Sequence, residues 1–171
     1  MTRVYLSLGS NINRYQNITA ALEALDNTFS PLAISTIYSS EAVGFEGDDF
    51  LNLVVGFDSD LTVGELSSIL RQIEQDNGRC RQGSKFSSRT LDIDILTYGD
   101  AVGSHDKVAL PREEITKNAF VLLPLQELAP DVLHPELNVS YRTLWQNYDH
   151  ASQALWPVDF EWRGEKVSSA G

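Results

Sequence analysis

One cysteine, Cys80, is all the thiol chemistry this chain of 171 residues offers, so no internal disulfide and no Cys-rich zinc site can hold it together. Basic residues are scarce, 13 against 24 acids for a formal charge of −11. That balance argues against a nucleic-acid binder, whose affinity comes largely from basic groups on phosphates, and makes small molecules the expected partners. No stretch approaches the ~18 apolar residues that span a bilayer, so no membrane partner is expected. The opening Met1-Thr2-Arg3-Val4-Tyr5-Leu6 enters a strand pattern without the basic segment, apolar core and cleavage site of a secretory signal, which makes the cytoplasm the expected location. Nucleotide motifs are missing too. Without Gly-x-x-x-x-Gly-Lys-Ser/Thr or Gly-x-Gly-x-x-Gly, a P-loop or Rossmann site has no support. What remains is an ordinary globule, 42% hydrophobic and 22% charged, read as a single domain over 1–171.

Periodicity organises the chain. Val4 to Leu8 reads as a short buried strand closed by Gly9-Ser10-Asn11. Ile18, Leu22, Leu25 and Phe29 then recur on one helical face. Leu32–Tyr38 and Phe50–Phe57 read as two strands, joined by a long loop, Ser39–Asp49, that is a lid candidate. Thr62-Val63-Gly64-Glu65 has the spacing of a capping box, and Leu66, Leu70 and Ile73 mark the buried stripe of the helix it starts, which Asn77-Gly78 stops. Thr90 to Leu96 alternates most cleanly of all and is a strand. The order βαββαβ predicts an α+β fold with a ferredoxin-like core: a mainly antiparallel sheet with helices packed on it, plus C-terminal extra elements. Val108 to Pro111 could add a strand. Ala119–Leu128 is helical but contains Pro124, which predicts a kink or two short helices. Trp156 and Trp162 read as packing anchors, and residues 163–171 as a frayed tail.

The chemistry concentrates near residue 90. The segment from Gly78 to Arg89 holds Arg79, Arg81, Lys85 and Arg89 and no acid, a basic patch suited to a polyanion such as a nucleotide triphosphate or, more plainly, a solvated loop. On the strand that follows, Asp92 and Asp94 point to the same face, with Cα atoms about 7 Å apart. Two such carboxylates can converge on hard cations, and Mg²⁺ suits them because it takes its other ligands from water and phosphate. A solvated strand edge would also carry them, though Asp is depleted in strands and like charges repel. Carboxylates for a metal beside Arg and Lys for phosphates form the combination that phosphoryl transfer uses. Cys80 reads as an incidental loop thiol between two arginines. His105, His134 and His150 lack ligand spacing, and His134-Pro135 reads as a turn.

Gly78-Arg79-Cys80-Arg81 followed by Arg89-Thr90-Leu91-Asp92-Ile93-Asp94-Ile95-Leu96 closely resembles the 6-hydroxymethyl-7,8-dihydropterin pyrophosphokinase family of folate biosynthesis. Leu8-Gly9-Ser10-Asn11, Phe50-Leu51-Asn52, Ala119 to Leu125 and Ala129-Pro130-Asp131 extend the resemblance over about residues 3–145. It implies an enzyme that passes pyrophosphate from ATP to the pterin's hydroxymethyl group, and a monomer is expected. By motif position, Asp92 and Asp94 would hold two Mg²⁺ ions, Arg79 and Arg89 would be the catalytic arginines, and Glu74, Arg81, Lys85, Arg89 and Arg112 would contact ATP. Asn52 would bond the heterocycle, Phe50 and Phe120 would sandwich it, and Ser40 and Val43 would add backbone contacts. By composition alone, Phe50 and Phe120 would be core residues.

The chain departs from the family pattern in places. Phe86-Ser87-Ser88 replaces the usual Trp-Gly-Pro, Ser40-Glu41-Ala42-Val43 replaces the usual Pro-rich pterin loop, Arg112 stands at a common His, and Asn118 stands at a common phosphate-binding Arg. These departures leave two further readings open, a paralogue acting on a related pterin and a non-catalytic nucleotide- or pterin-binding module.

Overall fold

The structure is a computed structural model that describes residues 1–41, 48–78 and 91–170. The lid candidate over 42–47 and most of the basic loop, 79–90, lie outside the described residues.

The first strand, β1 (Thr2–Ser10), lies in the middle of the sheet, and α1 (Arg14–Phe29) follows it. Ile18, Leu22, Leu25 and Phe29 are buried, as their spacing predicts. The second strand of the pattern is broken into β2 (Ala33–Ile34) and β3 (Tyr38–Ser40), both antiparallel to β4 (Phe50–Ser59). At the break Ser35 N still bonds Val54 O of β4, whereas Thr36 N bonds the Glu127 carboxylate and Ile37 N bonds Ser168 Oγ. Helix α2 (Val63–Asp76) opens with the expected capping box, in which Thr62 Oγ1 accepts from Glu65 N and Glu65 Oε1 accepts from Thr62 N. Such a cap contributes about 1 kcal/mol. Next comes β5 (Asp92–Tyr98), giving the order β5-β1-β4-β3 of the expected ferredoxin-like arrangement.

One sheet face packs Val4, Leu6, Leu8, Leu53, Val55, Ile93 and Ile95 against α1 and α2 in the larger core. The hairpin β6 (Gly103–His105) and β7 (Val108–Leu110) follows β5, and then come α3 (Glu114–Lys117), α4 (Ala119–Leu128) and α5 (Tyr141–Gln146). On the opposite face, Val121, Leu122 and Leu125 of α4 and Tyr141 of α5 cover Tyr5, Val54 and Leu96. Of the two outcomes expected for Ala119–Leu128, two short helices do not form. The run is one helix, because burial of Pro124 with Leu122 and Leu125 on the sheet outweighs the hydrogen bond that proline cannot donate.

The C-terminal segment corrects two expectations. The described part of the expected frayed tail, 163–170, is ordered into structure: β9 (Phe160–Trp162) and β10 (Glu165–Ser168) pair as a hairpin, after β8 (Leu155–Pro157) has joined the sheet edge beside β3. The hairpin is tied down where composition gives no warning, by Arg163 bridging Glu23 and Asp26 of α1 and by buried Ser168, whose hydroxyl donates to Val158 O at 2.6 Å. Trp162 packs against the larger core, but Trp156 is exposed on β8 rather than a packing anchor, since an edge strand has no layer above that side chain.

Candidate active site

The register of the sheet decides which side chains meet. Asp92 of β5 stands opposite Gly9 of β1, Gly9 opposite Asn52 of β4, and Asn52 opposite Tyr38 of β3. One step along, Asp94 stands opposite Ser7, and Ser7 opposite Val54. Because side chains alternate, Asp92, Asp94, Ser7, Asn52, Phe50, Tyr38 and Ser40 all belong to the face opposite the larger core. Asp92 and Asp94 therefore share one sheet surface with Phe50, Asn52 and Ser40. Two strand spacings set the Asp92 and Asn52 backbones about 10 Å apart. Gly9 lies between them with no side chain, and it is needed there: a Cβ at that position would stand 3.3 Å from Asn52 Oδ1 and 3.8 Å from Phe50 Cδ1.

At the β5 end the groups are charged. Ile93, between the two aspartates, is gripped by both backbone groups: its N–H donates to Glu74 Oε2 at 2.7 Å, and its carbonyl accepts from the Arg71 guanidinium. Arg71 Nε also pairs with Glu74 Oε1 at 3.2 Å. Glu74 is fully buried, and among the described residues its carboxylate meets the Ile93 amide and Arg71. Asp94 lies between two cations, Arg71 Nη2 at 4.0 Å and Arg112 Nη2 at 3.6 Å, while Arg112 Nε pairs with Glu114 at 2.9 Å. Desolvation, then the Asp92 charge, pushes the Asp94 carboxyl up to about 6 despite those arginines. Burial pushes Glu74 up to about 7, against the opposing pull of the Ile93 amide and Arg71. A cavity of about 340 Å³ opens beside Asp94, lined by Ser67, Leu70, Arg71, Lys107, Arg112 and Glu114.

At the β3–β4 end the groups are neutral. Asn52 and Ser40 are buried and bonded to each other, Asn52 Nδ2 donating to Ser40 Oγ at 2.7 Å. Phe50 opens β4, and Phe120 lies in the first turn of α4, which packs on β4; both rings are half-buried. Asn118 does not face the site as a free amide, since its Oδ1 accepts from Gln153 Nε2 at 3.1 Å. Arg79, Arg81, Lys85, Arg89 and Val43 lie outside the described residues.

The model of the 7,8-dihydro-6-hydroxymethylpterin-pyrophosphokinase family matches residues 5–130. The chain belongs to this family. The resemblance first read from the motifs is thus borne out, and with it an ATP-dependent pyrophosphokinase family. A 2-amino-4-hydroxy-6-hydroxymethyldihydropteridine pyrophosphokinase of Aquifex aeolicus is 38% identical over 137 residues, which cover 79% of this chain and 85% of that one. Its namesake in Haemophilus influenzae is 30% identical over 161 residues, covering 92% of this chain and 100% of that one. A solved HPPK-DHPS in complex with substrates superposes with a TM-score of 0.66 at 14% identity, covering 88% of this chain and 44% of that chain, a likeness of fold. The chain thus spans less than half of that larger protein.

Sequence reasoning missed Arg71, Gly9, Tyr38 and Glu127 as residues that shape this pyrophosphokinase-family site. A signal existed for two elements of it. Glu74 follows Leu66 and Leu70 at helical spacing, which places its carboxylate on the buried face with Arg71 one turn before it. A glycine inside a strand, as at Gly9, marks a close approach.

Proposed function

We propose that this chain transfers a pyrophosphoryl group from MgATP to the hydroxymethyl oxygen of 6-hydroxymethyl-7,8-dihydropterin, giving the pterin diphosphate and AMP. The observation that carries the reading is the shared face: paired carboxylates at β5 and a buried Asn52–Ser40 pair at β4, separated by the bare backbone of Gly9. The hydroxymethyl oxygen bonds to the β-phosphorus, the bond from that phosphorus to the α,β-bridging oxygen breaks, AMP departs, and the hydroxyl proton passes to solvent.

Asp92 and Asp94 fit a pair of Mg²⁺ ions. They are hard oxygen donors on one strand face, and each charge disfavours the other, as does the burial of Asp94, until a cation offsets them. Bound there, the metal would neutralise phosphate oxygens and ease ionisation of the attacking alcohol. Arg79 and Arg89 would stabilise charge on the transferring group, with Arg81 and Lys85 on the remaining phosphates. Arg112 lines the cavity beside Asp94 and supplies a cation that neutral Asn118 does not. Glu74 fixes Ile93, and hence the spacing of the two aspartates, beside the ATP contact that the resemblance implies for it. Asn52 orients the pterin through its amide, Ser40 and Val43 add backbone contacts, and Phe50 and Phe120 hold the ring by its faces. The protein acts as one cytoplasmic domain and as a monomer.

The test mixes purified protein with MgATP and the pterin and follows AMP and pterin diphosphate by mass spectrometry, with Asp92→Ala/Asp94→Ala as the blank. Equal amounts of both products, reduced at least about 10³-fold in the blank, are expected. ATP binding without either product would overturn the reading in favour of a related pterin or a binding module.

A further inference from the structure

The second strand leaves β4 between Ser35, still bonded to Val54, and Tyr38, and a side chain from α4 fills the break. Glu127 uses both carboxylate oxygens there: Oε1 accepts from the Tyr38 hydroxyl, and Oε2 accepts from Thr36 N at 3.2 Å. Burial, reinforced by the Glu127 carboxylate, holds the Tyr38 phenol well above its ordinary range, so it remains a donor. Tyr38 is no remote anchor. It stands directly opposite Asn52 and two residues before Ser40.

Glu127 and Phe120 are seven residues apart on α4, so they lie on the same helix face, about two turns or 10 Å from one another. One end of that face carries the ring assigned to the pterin, and the other is bonded to the strand that carries Ser40. A flat heterocycle held on both faces needs its flanking rings roughly 7 Å apart, one van der Waals gap on each side. The apolar contacts of Val121, Leu122 and Leu125 press α4 on the sheet and Ala119 N bonds Gln153 Oε1 at 2.8 Å at its start, but apolar contacts are weakly directional and leave the far end of the helix some freedom to slide or roll. Two hydrogen bonds at Glu127 are directional and remove that freedom.

We propose that Glu127 and Tyr38 are positioning residues for the pterin: they register α4 on the strand and so set the slot between Phe120 and Phe50, with no direct part in the handling of ATP. This inference rests on the proposed function, and it gives the two ends of the site separate supports.

The experiment compares the wild type with Tyr38→Phe, Glu127→Gln and Glu127→Ala. Pterin affinity is read by titrating fluorescent 6-hydroxymethylpterin in Mg²⁺ and a non-hydrolysable ATP analogue; KM for pterin and for ATP are read separately, together with the melting temperature. Glu127→Ala is expected to weaken pterin binding and raise the pterin KM on the order of tenfold, with the ATP KM unchanged within about twofold. Glu127→Gln keeps one acceptor oxygen and should recover part of the loss. Tyr38→Phe removes only a hydroxyl, so it still reports if Glu127→Ala does not fold. A lower melting temperature with pterin KM and affinity unchanged would overturn the proposal and leave a merely structural tie. Equal rises in both KM values would also overturn it. A wild type that takes the nucleotide analogue but no pterin would defeat the proposed function itself, and this inference with it.

Discussion

At the β5 end of the open sheet face, the contacts among the described residues that fix functional groups each involve a charged side chain: Arg71 with Glu74, Asp94 and the Ile93 carbonyl, Arg112 with Asp94 and Glu114, and Glu74 with the Ile93 amide. Two and three strands away, on β4 and β3, an amide bonds a hydroxyl and two rings flank them, with the Glu127 carboxylate set back on α4. The same backbone register underlies both ends, so the difference comes from what each end has to hold. Phosphates and metal ions are recognised by charge, and opposing side-chain charges keep such a site assembled before they arrive. A flat neutral heterocycle is recognised by shape and a few placed hydrogen bonds, and stray charge there would be a desolvation cost.

The comparison breaks first, and furthest, at Glu74. Glu74→Ala removes the acceptor of the Ile93 amide and the partner of Arg71 together, at a buried position. Chemical denaturation should show a loss of about 2–3 kcal/mol, since an unsatisfied buried amide and a half-abandoned charge both carry a penalty. Glu74→Gln, which still offers an oxygen to Ile93, should lose less. A change within about 0.5 kcal/mol for the alanine variant would mean that β5 is held by the sheet alone and that the charged end is not a support.

Gly9 tests the other end at a smaller amplitude. Gly9→Ala places a methyl 3.3 Å from Asn52 Oδ1, and either the amide turns or β1 shifts by a few tenths of an ångström. Steady-state kinetics should show a pterin KM raised on the order of tenfold, as a small misplacement of a positioning group does, with the ATP KM little altered. If the ATP KM rises as much, the two ends are mechanically one site.

Much of this frame was legible in the sequence because it is local. The alternation at Thr90–Leu96 fixed the common face of Asp92 and Asp94, the Thr62–Glu65 spacing fixed the start of α2, and the stripe of α1 fixed its buried side. The supports were not legible, because they depend on which elements lie next to each other. The Glu127 carboxylate looks solvated until a strand break is found beside it, and Glu74, though legible on a buried stripe, finds its partner Ile93 only when α2 is laid beside β5. The C-terminal hairpin escaped for the same reason: Ser168 and Arg163 become anchors only through Ile37, Val158, Glu23 and Asp26, more than a hundred residues away in all but one case.

The smallest effect is a pH dependence whose sign separates the charged end from the rest of the molecule. Asp94 and Glu74 have folded pKa values raised to about 6 and about 7, so they favour the fold at low pH, and that contribution is lost as pH rises from about 4 through those values. His134 pulls the other way. It is buried beside Tyr141, its Nδ1 accepts from Glu136 N at 3.2 Å and Leu137 N at 3.1 Å, and desolvation lowers its pKa. Its neutral form is therefore the folded form, and its contribution is complete above its ordinary value near 6.5 and lost as pH falls below it. Denaturation of the metal-free protein between pH 4 and 8 should show these slopes partly cancelling in the wild type. His134→Asn should unmask a steady loss of stability with rising pH, and Asp94→Asn should flatten it. If His134→Asn leaves the profile unchanged, the histidine is not the opposing group, and the charged end alone governs how the fold responds to acid.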